Sequence, residues 1–158
     1  MTRATERTPF EEAMARAGRT LARRAHSEKE LRTKMEDLDD GTLDDVIRRL
    51  RELKLLDDRD FAQTWIEERR RKKGSLALAA ELRAKGVPVE IIDEELERIS
   101  AGEEPRAVDM AARHLPRVAA KPLEKQAAAI ESLLLRRGFE HEIASAATRA
   151  VLPPEGWD

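Results

Sequence analysis

The chain has 158 residues, no cysteine, 39% charged and 3% aromatic residues, and a formal net charge of −2. That length fits one medium domain or a few very small ones, and the lack of cysteine excludes a disulfide framework, a thiol nucleophile and thiolate metal ligation. No apolar run approaches the ~18 residues of a membrane span, and Met1 to Phe10 lacks the apolar core of a secretory leader, so the expectation is a cytoplasmic protein with no membrane partner.

The pattern predicts helix from end to end. Phe10, Met14, Ala17 and Leu21 recur at helical spacing, and Pro9 suits the opening turn. Ser27 and Glu30 form a capping box for a second helix, whose buried side is Leu31, Met35 and Leu38. Asp39-Asp40-Gly41 is expected to break that helix. Thr42 is expected to cap a third, with Val46, Ile47, Leu50 and Leu53 inward. Leu55-Leu56 is expected to pack between units. Asp57-Asp58 open a fourth helix, where acids favour the dipole. Phe61, Trp65 and Ile66 give it an apolar side, and it ends in a basic run before Gly74. Ser75 is expected to cap a fifth helix, with Leu78, Ala79 and Leu82 inward and Gly86 as its stop. Pro88 fits the first turn of a sixth, carrying Ile91, Ile92, Leu96 and Ile99. Ala101 to Pro105 reads as a linker. Three more helices are predicted over about 105–118, 122–137 and 140–151, with Pro116 ending the first of them. Trp157 follows Pro153-Pro154 and is either frayed or docked.

These nine segments group into threes. Val46, Ile91 and Ile143 each lie five residues after a glycine (Gly41, Gly86, Gly138) and directly after an acid (Asp45, Glu90, Glu142). Self-similarity at a spacing of 45 to 52 residues is the mark of a repeat architecture. The predicted fold is all-α: an elongated tandem array of three helix-turn-helix-like units over 10–56, 57–100 and 105–152. A unit of that size buries too little apolar area to stand alone, so each must lean on its neighbour.

Motifs for chemistry are absent. There is no phosphate-cradling glycine loop and no nucleophile elbow, since successive glycines are at least 12 residues apart. His26, His114 and His141 are scattered, and His141-Glu142 lacks the second histidine of a zinc helix. With Gly41 at the sixth place of a calcium loop, the third and twelfth places fall on Leu38 and Ile47, which are not ligands. Neither a metal nor a cofactor is expected.

The charge is uneven. Residues 1–75 carry net +2 and residues 76–158 net −4. Arg69, Arg70, Arg71, Lys72 and Lys73 form an unbroken basic run. Cations at a helix end serve its last carbonyls and its dipole, but five in succession wrap every face, which leaves some free to meet a partner. Arg23 and Arg24, between the first two helices, offer a second cationic point, or else pair with nearby acids. Trp65, at helical spacing from Phe61, reads as core before it reads as a base-stacking platform.

Three stretches resemble the RecX family of bacterial recombination regulators. Residues 21–31 read LARRAHSEKEL, a helix ending in arginine and then a Ser-capped helix. Residues 50–69 read LRELKLLDDRDFAQTWIEER, with a distinctive D-D-x-x-F-A-x-x-W-I-x-x-R core. Residues 74–91 carry a glycine, then ELRAKGV, then a spaced isoleucine. The similarity is good over roughly 15–96. Where the family often has Gly-aromatic before the Asp pair, this chain has Lys54-Leu55-Leu56. The resemblance implies tandem three-helix units that bind in the groove of the RecA filament on single-stranded DNA. It also implies restraint of strand exchange, ATP hydrolysis and co-protease action on the SOS repressor. On this reading the protein is a monomeric, non-enzymatic regulator. The basic run from Arg69 to Lys73 would meet phosphate or an acidic RecA surface, with Arg23 and Arg24 second. The alternative is a free-standing helix-turn-helix DNA-binding protein. Against it, the third helices present Asp44, Asp45, Glu90, Asp93, Glu94 and Glu95, which repel phosphate.

Overall fold

The computed structural model describes residues 6–154; Trp157 and the first five residues lie outside them. The described residues are helical throughout: α1 (Pro9–Arg23), α2 (Glu28–Lys34), α3 (Asp40–Glu52), α4 (Asp58–Arg69), α5 (Ser75–Ala84), α6 (Val89–Ile99), a 3₁₀ turn (Ser100–Gly102), α7 (Glu103–Val118), α8 (Leu123–Arg136) and α9 (His141–Val151).

The helices form three units in chain order, each around its own core. Ala17, Leu31, Met35, Val46, Ile47 and Leu50 fill the first. Phe61, Ala62, Leu78, Leu82 and Ile92 fill the second. Ala111, Ile130, Leu134, Phe139 and Ala147 fill the third. In every unit the third helix packs on the first. Three small cores in a row leave much surface uncovered. The accessible area is 10386 Å², against ~8000 Å² for a compact monomer of this mass.

Local chemistry explains most of the helix starts, with several departures from the sequence reading. Thr8 and Glu11 make a capping box that starts α1, with Pro9 inside it. On α1 Ala13 takes the buried place expected of Phe10, which is 37% exposed. Ser27 and Glu30 make the expected box on α2. Asp39, not Thr42, caps α3, because its carboxylate takes the Thr42 amide. Gly41 therefore lies inside the first turn of α3 instead of breaking a helix. Leu56 is buried in the first core, while Leu55 is 56% exposed. Lys54 just before them has φ +59°, a left-handed conformation that suits glycine better. The expected linker at 101–105 is mostly helix, and Pro116 sits within α7, which continues to the buried Val118.

Ser75 does not cap α5, and the reason governs the whole array. The first amides of a helix have no partner inside it. At α5 they find partners in the third unit. Ser75 N–H donates to Glu103 Oε1 at 2.8 Å, Gly74 N–H to the Arg137 carbonyl at 2.7 Å, and Leu76 N–H to the Gly138 carbonyl at 2.9 Å. The seam between the first two units repeats this plan. Glu28 N–H donates to Asp58 Oδ1 at 2.9 Å, and Ser27 Oγ to the Lys85 carbonyl at 2.5 Å. Asp58 and Glu103 are each the first residue of the next unit's first helix. Burial at the seam raises the Asp58 carboxyl above its ordinary value. The second helix of each of these units thus docks end-on upon the last turn before the next unit's third helix.

A glycine makes each docking possible. Gly86 has φ +77° and lies against Lys29, and Gly138 has φ +90° and lies against Ala77. A Cβ on Gly138 would fall 2.5 Å from the Ala77 backbone nitrogen, whereas one on Gly86 meets only Lys29 side-chain atoms at its nearest. We predict that Gly86→Ala destabilises by about 1–2 kcal/mol, from the left-handed backbone and displacement of Lys29. Gly138→Ala is expected to cost more, roughly 2–4 kcal/mol, because backbone cannot step aside. Urea titration of both variants checks the order, and equal losses would contradict it.

The first seam is also acid-sensitive. Burial opposes ionisation of Glu30, but hydrogen bonds from Arg24, Lys85 and Ser27 outweigh it and hold the carboxyl at about 2, below its ordinary 4.5. Lys85 Nζ reaches Glu30 across the seam at 3.1 Å. A folded value below the unfolded one gives stability present above pH ~4.5 and lost as the pH falls toward ~2. The loss is at most about 3 kcal/mol. Glu30→Gln is expected to flatten that part of the stability profile; unchanged acid sensitivity would contradict the assignment.

Candidate functional site

The basic run divides into two groups when its surroundings are followed residue by residue. Arg69 lies over the Trp65 ring, 3.3 Å from its centroid, and pairs with Glu68 at 3.1 Å. Arg70 pairs with Glu67 at 3.4 Å, and Lys73 with Glu81 at 2.7 Å. These three cations are engaged inside the second unit. Trp65 is partly buried against the second core and stacks on Phe61 at 5.8 Å, so its faces are already occupied.

Arg71 and Lys72 are different. Both are exposed, and their carbonyls accept from the third unit: Arg113 Nη2 donates to Arg71 O and Arg137 Nη1 to Lys72 O, each at 3.4 Å. Their side chains line a cleft of about 370 Å³ together with Arg113, His114, Arg117 and Arg137, over an apolar floor of Met110 and Leu133. No carboxylate lines it. Arg113 also pairs with Asp109, one turn earlier on α7, at 3.3 Å. The elements that build the cleft are the turn after α4, one face of α7 and the last turn of α8.

The field inside is strongly positive. Burial and the surrounding Arg117, Arg136, Lys121 and Arg137 all push the His114 imidazole below its ordinary value. Arg106, Met110, Arg113 and Arg117 follow helical spacing along α7, so one stripe carries three arginines. The Arg106 guanidinium nitrogens are buried without a hydrogen-bond partner. Burial lowers its pKa, Glu103 raises it, and Arg70 lowers it further.

Arg23 and Arg24 stand apart from this cleft, at the first seam. Arg23 is exposed at the end of α1. Arg24 pairs with Glu30 at 3.0 Å and donates to the Ala25 carbonyl at 2.9 Å, so it serves the seam. The acids of the third helices are partly engaged too. Glu94 and Glu95 hold Arg59 at 2.6 and 2.8 Å, and Asp44 holds Arg32 at 2.9 Å. Arg113, His114, Arg117 and Arg137 were not singled out from the sequence. Their signal was the i, i+4 arginine pair on α7 and the arginine before Gly138, and neither is specific until docking brings them to Arg71. Among the described residues no group of His, Cys, Asp or Glu is placed to hold a metal ion, and no helix is long and apolar enough to cross a membrane.

Comparison with known proteins gives this architecture its relatives. Residues 57–96, the bulk of the second unit, match the family model for the second three-helix domain of RecX. The chain is 31% identical to the regulatory protein RecX of Streptomyces coelicolor, over 96% of this chain and 84% of the relative. It is 37% identical to the regulatory protein RecX of Mycolicibacterium vanbaalenii, over 92% and 85%. It is also 37% identical to that of Chlorobaculum tepidum, over 90% of each chain. The crystal structure of RecX from Lactobacillus salivarius superposes with a TM-score of 0.83 at 20% identity, covering 90% of this chain and 96% of that one. With close to the whole length matched at such identity, and the same three-unit architecture, the chain belongs to the RecX family.

Proposed function

We propose that this regulatory protein binds the filament that RecA forms on single-stranded DNA and restrains it, slowing strand exchange, ATP hydrolysis and co-protease action on the SOS repressor. The observation that carries the reading is the architecture itself. Three small cores joined end-on make a body with three faces to offer along a polymer, and modest contacts repeated along a polymer add by avidity. Arg71 and Lys72 are the members of the basic run left exposed without a carboxylate partner. They are the first candidates for contact, with Arg69, Arg70 and Lys73 as support and Arg23 and Arg24 as a separate cationic point. Inhibition of this kind needs no catalytic residue, metal or cofactor. Occupying the groove and holding the filament against the changes of its cycle is sufficient. The protein acts as a monomer in the cytoplasm, where the filament forms.

The test is RecA ATPase and filament length on single-stranded DNA with the purified protein added. A fall in ATPase and a change in filament length are expected at or below equimolar protein. No effect at several-fold excess would contradict the proposal.

A further inference from the structure

The two seams share one docking plan but differ in charge. At the first, Lys85 is neutralised by Glu30, and Arg51 by Glu28. At the second, Arg71, Lys72, Arg117 and Arg137 line one cleft with no carboxylate among its walls. Docking therefore does not require the excess charge, since the first seam manages without it. Like charges gathered this closely repel unless an anion lies between them. Three other clefts of the molecule mix in acids: Asp45 and Glu52 in one, Glu28, Asp57 and Asp58 in a second, Glu142 in a third; a fourth, by Arg149, has no acid but carries one cation against five here.

We propose that the cleft between the second and third units binds the backbone phosphates of a single nucleic-acid strand, and that the strand, touching both units at once, locks them together. Arginine forks match phosphate oxygens two at a time, and four of the five lining cations are arginines. The cleft, about 370 Å³, has room for phosphodiester groups. Locking follows from the geometry. Beside the short Gly74 N–H bond to the Arg137 carbonyl at 2.7 Å, the side-chain bonds from Arg113 and Arg137 across the cleft are long at 3.4 Å, near the limit of a hydrogen bond. A phosphate between Arg71 and Arg117 adds a bridge between the two units beside these long side-chain bonds.

The inference rests on the filament reading only in its choice of a single strand, so the experiment uses the full chain without RecA. Labelled oligothymidylate is titrated at several salt concentrations. At the same time the amide exchange of Gly74 and Leu76, which bond across this seam, is followed by NMR. With Arg113 paired to Asp109, the other four cations on phosphate predict a log-log salt slope of about −2.8, and Arg71→Gln with Arg117→Gln reduces it to about −1.4. The charge-matched pair Arg19→Gln and Arg83→Gln leaves it unchanged. Binding slows exchange at Gly74 and Leu76 and spares the Glu28 amide at the first seam. Melting curves of both double variants, whose altered side chains are all exposed, report that they fold. Equal slopes for the two double variants, or unchanged exchange at Gly74 and Leu76, would overturn the proposal. So would equally tight binding of polyglutamate or of a duplex. Absence of oligonucleotide binding would also overturn it, while leaving RecA inhibition, measured separately, intact.

Discussion

The unpaired amides at a helix N-terminus are the constraint on which this molecule is built. In α2 and α5 those amides reach past their own unit to a carboxylate, Asp58 or Glu103, that opens the next one. The same helix ends lie on a turn that glycine alone keeps flat enough, Gly86 or Gly138. A unit with a core as small as Phe61, Leu78, Leu82 and Ile92 is marginal by itself. Polar end-on docking supplies the support without fusing the cores. The consequence is an array rather than a sphere.

Function follows from having seams. A single globular core would have put the turn after α4 far from α7 or buried it. End-on docking instead leaves the Arg71 and Lys72 side chains on the surface and brings Arg113, Arg117 and Arg137 to them. The first seam, docked alike but neutralised by Glu30, shows that charge and docking vary independently within this plan. The scaffold can then be kept while cations are placed at one seam only.

Much of the fold was legible in the residues. Apolar spacing located the helices, and the Ser27–Glu30 box is present as read. The misreadings have separate causes, one long-range and two local. Ser75 looks like a cap, yet its helix is capped by the next unit, information that lies 28 residues away in Glu103. Thr42 lost to Asp39, a stronger acceptor three residues earlier. Gly41 matched the spacing of Gly86 and Gly138, but it lies in a helical turn and lacks their positive φ. The site was legible only in part. A run of five cations was plain, but which of them are spent inside the unit depends on Trp65, Glu67, Glu68 and Glu81. The arginines that complete the cleft come from α7 and the end of α8 and converge only through the docking at Gly138.

The central claim is that the three cores are strung out and joined by their ends. Small-angle X-ray scattering of the free protein tests it most directly. A compact chain of 158 residues has a radius of gyration of ~15 Å. The account predicts a clearly larger radius and a pair-distance distribution with a long tail. A radius near 15 Å with a symmetric distribution would contradict it.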